Sequence, residues 1–541
     1  MNARKIFDKI STRILESLAR NYPVACASDE FYFFPHIASH EDTTAPWDDF
    51  SDGSVRGMIH EISDSLIELD NIKIPDDDTG VHAEKDIRTE KNIQAEKNML
   101  VLFLSNLKDQ LDDLAIWKKQ PSFYLTLMNA GLAQVLNQSN SKWSQSRIRE
   151  LPAFLEQAVQ NIEEVPNPWD EISLSMISNC REFLDSLSLD SEYTKLSLVT
   201  IKSLEKKIKQ LPPETKINIP GDLLKKIYRN HLATGLEISQ ISKILEDEIY
   251  EMSQIMFSEG EKILKRSVNK SIKPRVLINL VYDAISIHSG MKRDSVKMFR
   301  DELDQIKSHL LDSGIIQENP KFLCPVRIEE MPSYFRAIRS ASSYSIYPKH
   351  PPEGGTFYVL NASGYGIPSE NFTEYRMLTA HETYPGHHLL DSLRLSLNNI
   401  VRRSLEFPLF YEGWACFAEM LLGFTGYFSN PLDRFILAKR RYWRAVRGQV
   451  DIGLQTEKLD FESAANILQE AGIPYKRAIA SAKIYTLNPG YQICYTVGIR
   501  RFLDLYNRYG KGNLTSFTQT ILGDGEVLFS DLEGLMKNFD T

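Results

Sequence analysis

Residues 381–388 read His381-Glu382-Thr383-Tyr384-Pro385-Gly386-His387-His388. Three of the chain's eleven histidines fall in this stretch. A histidine followed at once by glutamate opens the HExxH zinc motif. There, histidines at i and i+4 share a helix face and the glutamate serves as base. Here the i+4 position is Pro385, and the next histidines stand at i+6 and i+7. On a straight helix rising about 1.5 Å per residue they would lie roughly 9–10 Å further along the axis. That is too far to share an ion whose Zn–N bonds are about 2.0–2.1 Å. Two readings follow. Either the helix breaks at Pro385-Gly386, since proline removes a helix hydrogen bond and glycine permits unusual dihedrals, and His387 or His388 swings back beside His381. Or the histidines cap the carbonyls of a helix C-terminus and hold no metal.

The second informative segment lies downstream: Tyr411-Glu412-Gly413-Trp414-Ala415-Cys416-Phe417-Ala418-Glu419. Glu412 and Glu419 are seven apart, so on a helix they share one face of an otherwise apolar run. A buried carboxylate is costly unless it is paired or metal-bound. Two histidines and a helical glutamate make a three-ligand zinc site with one open position. Glu419 then either hydrogen-bonds a ligand histidine or pairs with an arginine in 439–447. The run Phe407–Phe428 is long enough to suggest a membrane span. Glu412 and Glu419 argue instead for a buried helix holding functional carboxylates.

Outward from these segments the chain reads as helix. Leu196–Lys209, Leu236–Leu264 and Val296–Leu311 carry apolar residues at three- and four-residue spacing, and so does the N-terminus through Ile6, Ile10, Ile14, Leu15 and Leu18. The N-terminal pattern lacks the unbroken apolar core of a secretory signal. The best strand is Thr356–Leu360, after a Gly-Gly turn. A six-residue repeat over 82–99 follows Asp76-Asp77-Asp78, and the segment 74–99 is expected to be an exposed linker leading into a helix. The fold expected is mainly α. A helical region over 1–320 would precede a metal-binding catalytic region over 321–541, as two regions or as two lobes of one unit.

Composition narrows the function classes. Of 541 residues, 42% are hydrophobic and 25% charged, which excludes a disordered or disulfide-scaffold chain. The net charge of −9 and the short basic runs (Lys206-Lys207-Ile208-Lys209, Arg440-Arg441) speak against nucleic-acid binding. Five scattered cysteines without a CxxC pair disfavour a cysteine-held zinc and fit a reducing compartment, so the expected location is cytoplasmic, with no membrane partner. His36 and His40 have i, i+4 spacing, but no glutamate follows His36, and a loop after Pro35 is the plainer reading. No GxSxG, GxxxxGK[ST] or GxGxxG motif occurs.

Taken together, His-Glu-Thr-Tyr-Pro-Gly-His-His and Glu-Gly-Trp-Ala-Cys-Phe-Ala-Glu strongly resemble the bacterial family catalogued as domain of unknown function 885. That family looks like zinc metallopeptidases of the HExxH-plus-glutamate kind, near the oligopeptidases and thermostable carboxypeptidases. Those are mostly helical, with a central channel between two lobes; a small β-sheet is expected beside the metal-binding helix. By this resemblance the chain carries a two-residue insertion inside the zinc motif. His381, His387 and Glu412 are then implied as ligands and Glu382 as general base. Gly355–Asn361, Arg444-Ala-Val-Arg447…Asp451-Ile-Gly453-Leu454 and Pro489-Gly490…Tyr495…Gly498 match further blocks. Gln455 stands where the family often has histidine, Tyr491 where it often has glutamine, and Leu390 where glutamine often follows the paired histidines. These departures bear on substrate specificity.

Chemistry suggests roles for the remaining side chains. A phenol at Tyr495, with Tyr491 one helical turn away, can stabilise charge developing on a carbonyl oxygen, or be a core tyrosine. Arg444 and Arg447 can hold a substrate carboxylate, as in a carboxypeptidase, or pair with Asp451 or Glu419. Together with His388 and Glu419 they form the expected surroundings of the metal. The reading is a zinc-dependent hydrolase of a peptide or small amide. Its rivals are an Fe(II) enzyme using the same ligands and a non-catalytic helical interaction protein with a degenerate site.

Overall fold

The structure is a computed structural model that describes residues 3–38, 46–74, 84–136, 142–186, 192–212, 217, 219–286, 295–319, 321–360, 369–523 and 525–537. Helices account for 70% of it, so the fold is mainly α. The periodic segments form the helices expected: Ala3–Asn21, Glu192–Gln210, Ile238–Leu264 and Ser295–Asp312. In the first of these Phe7, Ile10, Ile14, Leu15 and Leu18 all turn inward. One contiguous apolar cluster runs from Phe7 to Met536 and draws on both ends of the chain.

The repeat segment differs from its expectation. Residues 75–83 lie outside the described residues, but a 28-residue helix, Glu84–Leu111, already contains most of the repeats. Ile93, Ala95 and Met99 within them are buried, so this part is packed helix rather than linker. The repeat places an apolar residue every six positions. That spacing is off the helical period, but the Ala95 between two of them completes a buried face.

Among the described residues there is one sheet of three strands, β1 (Val326–Glu330), β2 (Ser343–Ile346) and β3 (Gly355–Val359), in the order β1-β3-β2. β1 runs parallel to β3 and β2 antiparallel to it, with Ile328 and Tyr344 both opposite Phe357. β3 is buried throughout, as expected of a central strand with an aromatic, β-branched sequence. β2 is an edge strand, and its outward backbone faces the motif helix.

Five helices carry the functional residues. The motif helix Ser369–Glu382 ends where the short helix His387–Leu395 begins. The carboxylate helix Pro408–Phe424 has proline in its first turn, where no amide is needed. The arginine helix Pro431–Gln455 is capped by Asn430, whose side chain accepts from Asp433 N–H at 2.8 Å. It packs lengthwise on the N-terminal region's Ile238–Leu264, where buried Glu248 takes a two-pronged bond from Arg441 (2.6 and 3.1 Å). The tyrosine helix Ile493–Leu505 crosses the carboxylate helix at Gly413 and Gly498. A Cβ on Gly413 would stand 2.6 Å from the Gly498 Cα, so only glycine at both positions lets the backbones touch. That close crossing brings Tyr491 and Tyr495 beside Glu412. No helix among the described residues is long and apolar enough to cross a membrane.

Candidate metal centre

The break at Pro385-Gly386 decides the geometry. The helix stops at Glu382, and Gly386 folds back onto its end, its N–H bonding Ala380 C=O at 3.0 Å. A Cβ on Gly386 would lie 1.9 Å from the His381 carbonyl oxygen and 2.5 Å from that of Ala380. No side chain fits there. Trp414 on the carboxylate helix donates its indole N–H to Pro385 C=O at 2.9 Å, tying the turn to the element that carries Glu412. His387 is thereby returned beside His381, with ring centroids 4.8 Å apart.

His381, His387 and Glu412 each offer one ligand atom, and these atoms all lie within 4.8 Å of one another. All three residues are buried. Both Nε2 atoms stand 3.5 Å from Glu412 Oε2. Two ligand atoms on one tetrahedral zinc, each about 2.0–2.1 Å from it, are about 3.3 Å apart. Glu412 Oε2 is buried and finds no hydrogen-bond partner among the described residues. An acceptor facing two imidazole nitrogens without a bond to either suits a cation between them. The donor set, two imidazoles and a carboxylate, is one that zinc takes.

The support around the trio is specific. His381 Nδ1 lies 3.0 Å from Glu419 Oε1. A carboxylate only accepts, so Nδ1 carries the proton and Nε2 presents its lone pair to the centre. Glu419 is also held by Arg440 at 3.0 and 3.1 Å and by Arg444 at 2.7 Å. Both expected roles of Glu419 are therefore filled at once. Burial alone would raise its carboxyl. The Arg440 and Arg444 charges and the bond to His381 outweigh that and hold it well below the usual range. Tyr491 donates to Glu412 Oε1 at 2.8 Å.

His387 is steadied differently. Its ring stacks on Tyr411 at 4.0 Å, and Tyr411 donates its hydroxyl to Asp391 at 3.1 Å. His388 points away from the trio. Its Nδ1 accepts from the Tyr344 hydroxyl (3.0 Å) and its Nε2 donates to Cys324 C=O (2.9 Å), and burial lowers its pKa to about 4. Of the two histidines, His387 is the one grouped with His381 and Glu412. His388 anchors the short helix to β2.

Glu382 sits at the end of the motif helix and accepts from Tyr344 N–H on the β2 edge at 3.0 Å. Burial pushes its carboxyl up to about 7; His387 opposes the rise, Glu412 adds to it, and the Tyr344 amide opposes it. A carboxyl so placed can take up and release a proton near neutrality. Tyr495 lies near Glu412, and its pKa is held well above the ordinary phenol value, first by burial and then by that carboxylate. Arg444 is spent on Glu419 and stands 3.2 Å from His381 Nδ1, so it is not the free carboxylate binder that was one of its two expected roles. Arg447 lies on the ring of Tyr495, its guanidinium carbon 4.4 Å from the centroid.

Several contributors are not visible in the motifs. The loop 27–38 comes in from the N-terminal region. Asp29 and Glu30 bind Arg339 (2.9 and 2.7 Å), and the Tyr32 ring approaches Tyr491 to 5.8 Å. Its one sequence signal is the run Phe31-Tyr32-Phe33-Phe34. His36 is buried against Arg394 (3.1 Å) and is no part of the metal cluster, while His40 lies outside the described residues. Asp451 accepts from Gly490 and Gln492 N–H (3.2 and 3.1 Å) and so pins the start of the tyrosine helix to the arginine helix. All five cysteines are buried and unpaired.

Comparison with known proteins adds the following. The family model described as "Bacterial protein of unknown function (DUF885)" matches residues 39–536. No curated protein matches the chain. Among solved structures, a candidate lipoprotein of unknown function from Shewanella oneidensis is similar at 15% identity and a TM-score of 0.74. It is covered over 99% of this chain and 100% of that one. A candidate lipoprotein from Colwellia psychrerythraea is similar at 15% identity, 99% coverage of both chains and a TM-score of 0.72. At that identity the likeness establishes the shared fold alone.

Proposed function

The chain belongs to the DUF885 family, whose name carries no activity, and we propose that it is a metal-dependent hydrolase of a peptide or small amide bond. The observation that carries this reading is the buried trio His381, His387 and Glu412 with Glu382 beside it. Zinc is the metal proposed. When bound, it supplies Lewis-acid polarisation of a carbonyl and a water of lowered pKa.

The chain's own residues supply the rest. Glu382, fixed by the β2 amide, accepts a proton at its carboxylate from the attacking water and passes it to the departing amine nitrogen. Tyr495 donates its hydroxyl to the carbonyl oxygen as negative charge builds there. Tyr491 stays on Glu412 and holds that carboxylate in place. Glu419, backed by Arg440 and Arg444, keeps the proton of His381 on Nδ1.

The test is hydrolysis of a mixed peptide library by zinc-loaded protein, wild type beside Glu382→Gln. The expected result is cleavage by the wild type and a rate loss of about 10²–10⁴-fold in the variant, with the metal retained. Undiminished cleavage by Glu382→Gln would remove Glu382 from the mechanism. No cleavage by fully loaded wild type would favour the non-catalytic interaction protein.

Location is a second, separable proposal. The five unpaired cysteines fit a reducing compartment and hence the cytoplasm. The two similar structures are named as candidate lipoproteins, which points instead to the cell envelope for those proteins. Cell fractionation with an antibody to the chain distinguishes the two.

A further inference from the structure

Four arginines lie close together on the arginine helix: Arg440, Arg441, Arg444 and Arg447. Three have carboxylate partners, Arg440 in Glu419 and Glu374, Arg441 in Glu248, and Arg444 in Glu419. Arg447 has none among the described residues, and its Nε is buried without a hydrogen-bond partner. Its guanidinium is gripped between two rings, 4.1 Å from Trp443 and 4.4 Å from Tyr495. Such stacking offsets part of the cost of burial; Tyr485 takes one hydrogen bond from the group, and the buried Nε–H keeps none. Asp451, one turn along the same helix, acts on Arg447 through its charge but makes no salt bridge to it; its oxygens accept from the Gly490 and Gln492 amides.

From these observations we infer that Arg447 binds a carboxylate of the substrate, which makes the substrate class one with a free carboxylate one residue from the scissile amide. This rests on the hydrolase reading above for its mention of a scissile bond. The Tyr495 side chain links Arg447 to the metal centre: the guanidinium carbon lies 4.4 Å from the ring's centre, and the phenol at the end of that ring interacts with Glu412. One residue spans about 3.3–3.6 Å. In this inference a terminal carboxylate on Arg447 sets the preceding carbonyl one residue away, on the side of the Tyr495 phenol. An arginine fork matches a carboxylate in two parallel bonds, so a free acid is favoured over its amide. Arg444 is unsuited to this task, because Glu419 already occupies it.

The test uses binding, so that it does not depend on turnover. N-acetylphenylalanine and N-acetylphenylalaninamide are titrated calorimetrically into zinc-loaded wild type, Glu382→Gln, Arg447→Gln and Arg447→Lys. The expected result is at least tenfold tighter binding of the acid in wild type and Glu382→Gln. The ratio should fall to near one in Arg447→Gln and recover in part in Arg447→Lys, which keeps the charge and controls for folding. Equal binding of acid and amide by wild type, binding of neither, or an undiminished ratio in Arg447→Gln overturns the inference. If the acid is preferred through Arg447 yet no peptide is cleaved by wild type, the hydrolase reading fails and the carboxylate site stands.

Discussion

Gly386→Ala tests the turn on which the site depends. The new methyl would stand 1.9 Å from the His381 carbonyl oxygen and 2.5 Å from that of Ala380. An ordinary contact for a carbon is about 3.5 Å, so the turn and the helix end must part by on the order of 1.5 Å. His387 follows Gly386 directly and moves with it, whereas metal–ligand bonds tolerate only about ±0.2 Å. Disturbing the orientation of one ligand typically weakens a site about 10–100-fold. Loss of His387 from the trio should reach at least the upper end, about 2.7 kcal/mol at roughly 1.4 kcal/mol per tenfold. The assay is competitive zinc titration against a chelator, with thermal unfolding alongside. At free zinc about 100 times the wild-type Kd, zinc should stabilise wild type by about 2.7 kcal/mol and the variant by only about 0.4 kcal/mol. Zinc affinity equal to wild type in a folded Gly386→Ala protein would refute the reasoning that this turn delivers His387.

Two further outcomes follow from the buried charges. Glu419→Gln leaves the guanidinium groups of Arg440 and Arg444 short of a counter-charge and removes the acceptor of His381 Nδ1. It should cost about 3–5 kcal/mol in urea unfolding and about 10–100-fold in zinc affinity, and unchanged values in both would contradict the network. Asp48 is buried, its Oδ1 accepting from Val24 and Ala25 N–H while Oδ2 finds no partner among the described residues. Burial pushes its carboxyl up to about 7 against those amide bonds. Between about pH 4 and 7 the folded chain therefore keeps a proton that the unfolded chain releases, and stability falls as pH rises through that window. Asp48→Asn should match wild type near pH 4 and exceed it at pH 8 by up to about 4 kcal/mol, at 1.36 kcal/mol per pH unit. Parallel stability curves for the two proteins would refute the shift.

The trio was legible because its chemistry is local: a histidine–glutamate pair, a helix-breaking Pro385-Gly386 and a carboxylate in an apolar run. The delivery of His387 was only half legible. Pro385 and Gly386 announce a break. Its direction, however, is set by the Trp414 indole and by the lack of room at Gly386, and both are tertiary facts. His388 was indistinguishable from His387 until Tyr344 and the Cys324 carbonyl claimed both its nitrogens. The stacking of Tyr411 on His387 and the arrival of Tyr32 from the far end of the chain have no local pattern at all. The repeat over 82–99 misled because its charged positions suggest solvent, while Ile93, Ala95 and Met99 supply enough apolar surface for one buried helix face. Arg447, the one of the four without a salt bridge among the described residues, was one of several arginines in sequence and stood out only once its neighbours had found their acids.

The most direct test of the central claim is elemental analysis of purified wild type beside His387→Ala and His388→Ala. The account predicts one equivalent of zinc in wild type, none in His387→Ala, and retention of the metal by folded His388→Ala. Iron in place of zinc would redirect the chemistry toward an oxygen-using enzyme. Stoichiometric metal in His387→Ala, or none in wild type after incubation with zinc, would contradict the account.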